Sequence, residues 1–403
     1  MLQRNPSFWA RIPGMRAIMA GPAPLPPGGR DQRLDMFRGL ALVMIFINHV
    51  PGTVFEQFTN RNFGFSDAAE AFVFMSGMAA GLAYSGAFLK DAPLWLALSR
   101  PWARARQLYF VHLTLTVIFL GTFAGAAHYF GLYQLLETNN LRILAREPLA
   151  TLVGLPLLSH QFGYLNILPL YLTLLLATPL FILVGFRRPL WLLIGSVVLW
   201  ALAGQFRINL PNYPTPGGWF FNPFSWQLLF VIGLIAGMGM KQGKRFFTIS
   251  PIAFLLALAT LVLVLIWVKV PAVASFGQSV LGSLRKMGVP FYLVAFDKTY
   301  LSLPRLGHAL CVFYVFASIP AMQAVAASRF ATPLRMLGRQ GLPVFATGTA
   351  LSLLFQAVKA GYPSTPVTDG LLLALGLAVQ LALAYALTRT TELRAAYARK
   401  PAV

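Results

Sequence analysis

Ten long apolar runs constrain this chain before any motif does. They fall at roughly 39–56, 66–88, 107–131, 165–185, 189–205, 224–240, 247–268, 306–327, 341–358 and 367–388. Each is long enough, or nearly so, to cross a hydrocarbon core of about 30 Å as a helix. Hydrophobic residues make up 57% of the 403 positions and charged residues only 11%, with a mean hydropathy of +0.68. That leaves too little polar surface for a soluble domain of this size. The chain reads as an all-α, polytopic integral membrane protein of about ten transmembrane helices.

A net charge of +21 on a soluble protein would suggest nucleic acid. Here no soluble face is large enough to follow a phosphate backbone, so nucleic-acid binding is not expected. The distribution fits membrane topology instead. With the N-terminus inside, the basic residues of the tail from Arg4 to Arg38 face the cytoplasm. So do the segments Lys90 to Arg106, Arg187 and Arg188, Lys241 to Arg245 and Arg329 to Arg339, and the terminal Arg389, Arg394, Arg399 and Lys400. Most of the 32 basic residues then lie on one side, the asymmetry that sets orientation. Both termini are expected to be cytoplasmic. The Pro/Gly stretch GPAPLPPGG at 21–29 and the lack of a signal-length apolar core make 1–32 a flexible basic tail with no cleaved signal. A membrane domain over 33–390 and a second basic tail over 391–403 follow. The outward segments, about 132–164, 206–223 and 269–305, are each too short for an independent catalytic domain.

The first run, RDQRLDMFRGLALVMIFINH, carries Arg38 and His49. Eleven residues at about 100° each bring both side chains to one helix face, ~16 Å apart along the axis. Ionisable groups at membrane depth are costly, which marks them as functional. Only eleven acidic residues occur, and Asp35, Asp67 and Glu70 flank or enter the first helical hairpin. Asp35 and Arg38, spaced i, i+3, suit a local ion pair or a lipid-headgroup anchor. Asp67 and Glu70 open the second run in DAAEAFVFMSG, where Glu70 suits either the helix dipole or contact with substrate or His49. Counted from a span beginning at 39, His49 and Glu70 are separated by ~9 Å of depth, which a substrate would bridge.

Several chemistries are excluded. The other histidines, His112, His128, His160 and His308, show no ligand spacing, so no metal is expected. The single Cys311 rules out an intrachain disulfide and a cysteine-based metal site. There is no GxSxG elbow and no P-loop, which argues against a serine hydrolase and an ATP-driven pump.

Arginine, ten residues, then histidine in the first span resembles the hallmark of the acyltransferase 3 superfamily of membrane acyltransferases. The segments RLDMFRGLALVMIFINH, DAAEAFVFMSG, NILPLYLTLL, NPFSWQLLFVIGL, DKTYLSLPRLGHAL and LGRQGLPVFATGT resemble the OpgC family, whose members modify osmoregulated periplasmic glucans by succinyl transfer. One departure is visible: relatives often carry Arg-x-x-Arg near the third span, whereas this chain has RPWARAR with Arg100, Arg104 and Arg106.

The resemblance implies an O-acyltransferase of the bacterial inner membrane, surrounded by lipid, with succinyl-coenzyme A or another acyl-CoA as donor and no permanently bound cofactor. Acyl transfer to a sugar hydroxyl needs a base, and neutral imidazole suits that role near pH 7; His49 is the expected base. Arg38 is expected to orient the anionic donor, with Arg100, Arg104 and Arg106 meeting coenzyme A phosphates. The aromatic and amide residues between Phe206 and Trp226, including Asn222, suit a glucan acceptor and equally suit interfacial anchoring. Lys298 and Arg305 are cations on the outer side, against the general charge rule, and suit a succinyl carboxylate or an anionic glucan. A transporter or flippase for a glycan or lipid intermediate would use the same buried charges. A structural partner of a glucan synthase is a third reading.

Overall fold

The computed structural model describes residues 14–21, 30–89, 93–244 and 248–398. Much of the N-terminal tail, Lys90, Arg245, Arg399 and Lys400 lie outside the described residues. The bundle is built from α1 (Gln32–Asn48), α2 (Ala68–Leu89), α3 (Leu94–Phe130), α4 (Ile167–Arg187), α5 (Pro189–Phe206), α6 (Pro223–Lys241), α7 (Pro251–Lys269), α8 (Pro271–Lys286), α9 (Leu303–Ser318), α10 (Ala321–Ala327), α11 (Thr332–Arg339), α12 (Gly341–Gly361) and α13 (Pro366–Tyr397). Among the described residues no strand forms, and only Pro211 and Gly218 make an isolated antiparallel bridge. Helices satisfy their own backbone groups, which lipid cannot do. The protein is an all-α, multi-pass membrane protein.

Among the described residues eight helices, α2 to α7 together with α12 and α13, are long and apolar enough to cross a membrane; α9 and α10, bent by 80° at their break, make a ninth if taken as one span. The break contains Pro320, which cannot donate to the helix ladder. The remaining expected span is α1, and it differs from the expectation. It runs over 32–48 rather than 39–56, and its 17 residues give ~25 Å, short of the core. Asp31 starts it by accepting the Arg33 amide at 2.9 Å, a side-chain N-cap. Pro51 ends it by restricting Val50 and lacking an N–H, and Gly52 follows at φ 78°, a left-handed turn. His49 therefore caps α1 instead of lying inside a longer helix.

Small residues set the closest contacts. A Cβ on Gly77 or Gly81 of α2 would strike the backbone of Phe230 or Leu234 of α6, and one on Gly233 or Gly237 would strike Phe74 or Met78. Such contacts let two membrane helices gain dispersion energy that lipid would otherwise supply. The same device joins α1 to α11, where Gly39 faces the Leu334 carbonyl and Gly338 the Asp35 carbonyl. Trp226, Leu229, Phe230, Val231 and Leu234 make α6 the buried centre of the bundle, while α7 leaves Leu256 and Leu263 exposed, the apolar face a lipid-contacting helix needs. A short helix over Met15–Ala20 packs Ile18 beside Phe254 and Ala257 of α7. Helix α13 continues to Tyr397 without a break at 391.

Three segments beyond the helix ends fold together. Tyr213 donates its amide to the Ser159 carbonyl at 3.0 Å, and Asn222 donates to Thr299 at 3.3 Å. Trp226 Nε1 donates to the Lys298 carbonyl at 2.9 Å. These bonds gather the segments expected to face outward over the end of α1 that carries His49.

Candidate active site

Arg38 lies along α1, where Gly39 and Gly338 bring α1 and α11 together. Asp35, although one turn away, is taken by others: it accepts from Arg30 at 2.6 and 2.8 Å and from Arg339 at 3.4 Å. The local Asp35–Arg38 pair is therefore not formed. The Arg38 guanidinium donates only to the carbonyls of Met75 at 3.4 Å and Gly338 at 3.5 Å. Among the described residues no carboxylate forms an ion pair with it. A guanidinium has five donors, so this cation has capacity for an anion. On neighbouring α3, Arg104 is half-buried and donates to Gln107 at 2.6 Å, whereas Arg100 and Arg106 are exposed.

At the other end of α1 opens a cavity of about 890 Å³, near the upper end of the range of about 300–1,000 Å³ typical of ligand sites. His49 and Asn48 wall it from α1, and Asp67, Lys298 and Arg305 from the opposite side. The outer segments contribute Asn139, Asn140, His160 and Gln161, then Asn212, Thr215, Phe220 and Phe221; Tyr164, Asn166, Thr299 and Arg61 also line it. The His49 carbonyl accepts from Gln356 at 2.7 Å. Its ring lies 4.6 Å from the Tyr164 ring, and its Nδ1 is buried without a hydrogen-bond partner. Burial also pushes the His160 imidazole down, with a backbone hydrogen bond at Asn140 opposing. Amide side chains and the Phe220 and Phe221 rings in one lining give groups that can both stack against and hydrogen-bond a polyhydroxylated ligand.

The charges in this cavity compensate one another. Lys298 Nζ donates to Asp67 Oδ2 at 2.5 Å; Arg305 donates from Nη2 and Nε to Glu70 Oε1 at 2.6 and 2.9 Å, and from Nη2 to Asp67 at 3.4 Å. Two cations and two carboxylates thus explain how Lys298 and Arg305 are kept on this side of the protein. Burial alone would raise the Asp67 carboxyl, but the charges of Lys298 and Arg305 and the Lys298 hydrogen bond outweigh it and hold it below the usual range. Asp67 also caps α2 by accepting the Ala69 amide at 2.8 Å.

The structure separates the other sequence-selected residues from this cavity. Glu70 is fully buried behind it, engaging Arg305 and the Asp67 amide. The ~9 Å depth gap expected between His49 and Glu70 depended on a helix starting at 39. With α1 starting at Gln32, His49 stands at the same end of the bundle as the first turn of α2. Asn222 is buried and caps α6, accepting from the Phe224 amide at 3.0 Å and donating to Ile208 at 2.7 Å. Trp226 is buried and anchors the Lys298 backbone. Sequence reasoning missed Arg61, Asn139, Asn140, His160, Gln161, Tyr164 and Asn166. Asn139, Asn140 and Gln161 had a signal in the amides of the segment at about 132–164; Arg61, between α1 and α2, had none.

With the geometry in place, a comparison with protein families becomes decisive. The family described as OpgC protein matches residues 30–392. The chain belongs to the OpgC family. The match takes in α1 through nearly all of α13, hence both Arg38 and the whole outer cavity. No curated protein matches the chain.

Proposed function

We propose that this protein is a transmembrane O-acyltransferase that moves an acyl group, succinyl by family resemblance, from cytoplasmic acyl-coenzyme A onto a hydroxyl of a periplasmic glucan. Membership of the OpgC family supports a glucan-modifying acyltransferase in general. One observation carries the finer reading: a single short helix holds Arg38, a cation without a carboxylate partner, and His49, which opens into an amide-lined cavity. Arg38 takes the anionic donor from the inner side. The acceptor glucan lies in the cavity across the Phe220 and Phe221 rings, its hydroxyls meeting the amides.

His49 is the base. Buried and beside the Lys298 charge, its ring favours the neutral form that accepts a proton. As the sugar oxygen bonds to the thioester carbonyl carbon, its proton passes to His49. The carbon–sulfur bond then breaks, and the leaving thiolate takes the proton held by His49, giving free coenzyme A and returning the imidazole to its neutral form. A positioned base contributes ~10²–10⁴-fold, so holding the thioester and the hydroxyl in line supplies much of the rest. Lys298, Arg305 and Asp67 face the acyl group and acceptor, with Glu70 holding Arg305 in place. The enzyme resides in the bacterial inner membrane.

Reconstituted protein given succinyl-coenzyme A and glucan tests this. Glucan gaining the mass of a succinyl ester supports the reading. Movement of unmodified glucan across the bilayer, with no change in mass, supports transport and overturns it.

A further inference from the structure

Beside His49 lies a second and much smaller pocket of about 10 Å³, which shares Ile45, His49 and Phe345 with the large cavity. Its walls include Leu42, Phe46 and Phe345, with Thr349 of α12 and Gln380 of α13 as polar members. Two polar atoms around it have no partner: His49 Nδ1 and Thr349 Oγ1 are both buried without a hydrogen bond. The hydroxyl is the more telling. Thr116, Thr173, Thr178 and Thr388 each donate to the carbonyl four residues back in their helices, the usual way for a buried threonine to satisfy itself. Thr349 does not. Gln380 is also buried within α13, its Nε2 donating to the Gly376 carbonyl at 3.1 Å.

Unpaired polar atoms at this depth are disfavoured, and a pocket just large enough for one water holds it when it offers about 2–4 polar partners. His49 Nδ1, Thr349 Oγ1 and the Gln380 amide oxygen are three. We propose that this pocket is a water site, and that Thr349 and Gln380, acting through that single water, are positioning residues for His49. The water accepts from Nδ1–H and donates to Thr349 and Gln380. That fixes the tautomer in which Nε2 carries the free electron pair, the form a base needs. The arrangement does for this imidazole what a hydrogen-bonded carboxylate does for a catalytic histidine elsewhere, without placing another charge at this depth. The inference rests on His49 as the base.

The test uses the full chain in bilayers, comparing Thr349→Val, Thr349→Ser and Gln380→Leu with His49→Ala. Thr349→Val is expected to lower kcat by about tenfold, within the range lost when a histidine's orienting partner is removed, with both KM values within about twofold. Thr349→Ser restores kcat. Solid-state ¹⁵N spectra of labelled histidine, with His49 assigned by its loss in His49→Ala, show one Nδ1-protonated tautomer in the native protein and a mixture in Thr349→Val. If Thr349→Val does not accumulate in the membrane, Gln380→Leu is read in the same two ways. Native kcat with an unchanged tautomer in these variants, while His49→Ala is inactive, overturns this inference alone. Activity of His49→Ala overturns the base assignment beneath it.

Discussion

Arg305, in the first turn of α9, donates from both Nη2 and Nε to a single oxygen of Glu70, at 2.6 and 2.9 Å, and Glu70 is wholly buried. The second Glu70 oxygen accepts the Asp67 amide at 2.8 Å. One carboxylate therefore ties the start of α2 to the start of α9 and fixes the cavity wall opposite His49. Ser66, just before Asp67, and His308, three residues after Arg305, meet Oγ to Nδ1 at 2.7 Å, a second tie between the same elements.

Glu70→Gln is expected to cost about 3–5 kcal/mol, because it leaves the Arg305 charge buried with less compensation. Changing Glu70 and Arg305 together costs less than Glu70→Gln alone, since neither charge is then orphaned. Thermal unfolding in detergent reads both. A Glu70→Gln protein of native stability but without activity would place Glu70 on the substrate instead.

The Asp67 carboxyl, held below its ordinary range, gives a pH prediction. Its pairing contributes fully above the unfolded-state value of about 3.9 and is lost as pH falls through the lower folded-state value. The unfolding midpoint is thus insensitive to this group from pH 9 to 5 and falls on further acidification. Asp67→Asn should lower stability at neutral pH and flatten that acidic fall. An acidic slope equal to that of the native protein assigns the fall to other groups.

Much of this site was legible in sequence because helix geometry is local. The phase of Arg38 and His49 follows from counting residues, and Asp67, Lys298 and Arg305 stand out as rare charges on one expected side. What stayed hidden is non-local. The partners Lys298 and Asp67 are 231 positions apart, and Arg339 reaches Asp35 across 304; no spacing rule reports such pairs. The charges of Arg33, Asp35 and Arg38 set the expected start of the first span seven residues too late, and the stop at Pro51 was passed over, which misjudged the depth of His49. Asn222 and Trp226 looked like sugar ligands because amides and indoles serve caps and buried anchors equally well.

Under the proposed function, Lys298 is the residue expected to select the acyl group. Arg305 is committed to two carboxylates, whereas Asp67 is the one carboxylate paired with Lys298, whose side chain is 27% exposed. Lys298→Gln is predicted to lower kcat/KM for succinyl transfer about tenfold more than for acetyl transfer, the value of one charge-assisted hydrogen bond of about 1.5 kcal/mol. Equal losses for the two donors, measured side by side, would assign Lys298 to the glucan or to structure.

Arg38→Gln should raise the donor KM by about tenfold or more while leaving the acceptor KM within about twofold, because under the proposed function the guanidinium orients the anionic donor. Initial rates with each substrate varied in turn decide this. An effect confined to the acceptor contradicts the placement.

The most direct test of the central claim is the mass of glucan produced by His49→Ala in proteoliposomes supplied with acyl-coenzyme A. The account predicts that this variant inserts, unfolds near the native midpoint and yields glucan without added acyl mass, while the native protein yields acylated glucan. Near-normal acylation by correctly folded His49→Ala would contradict it.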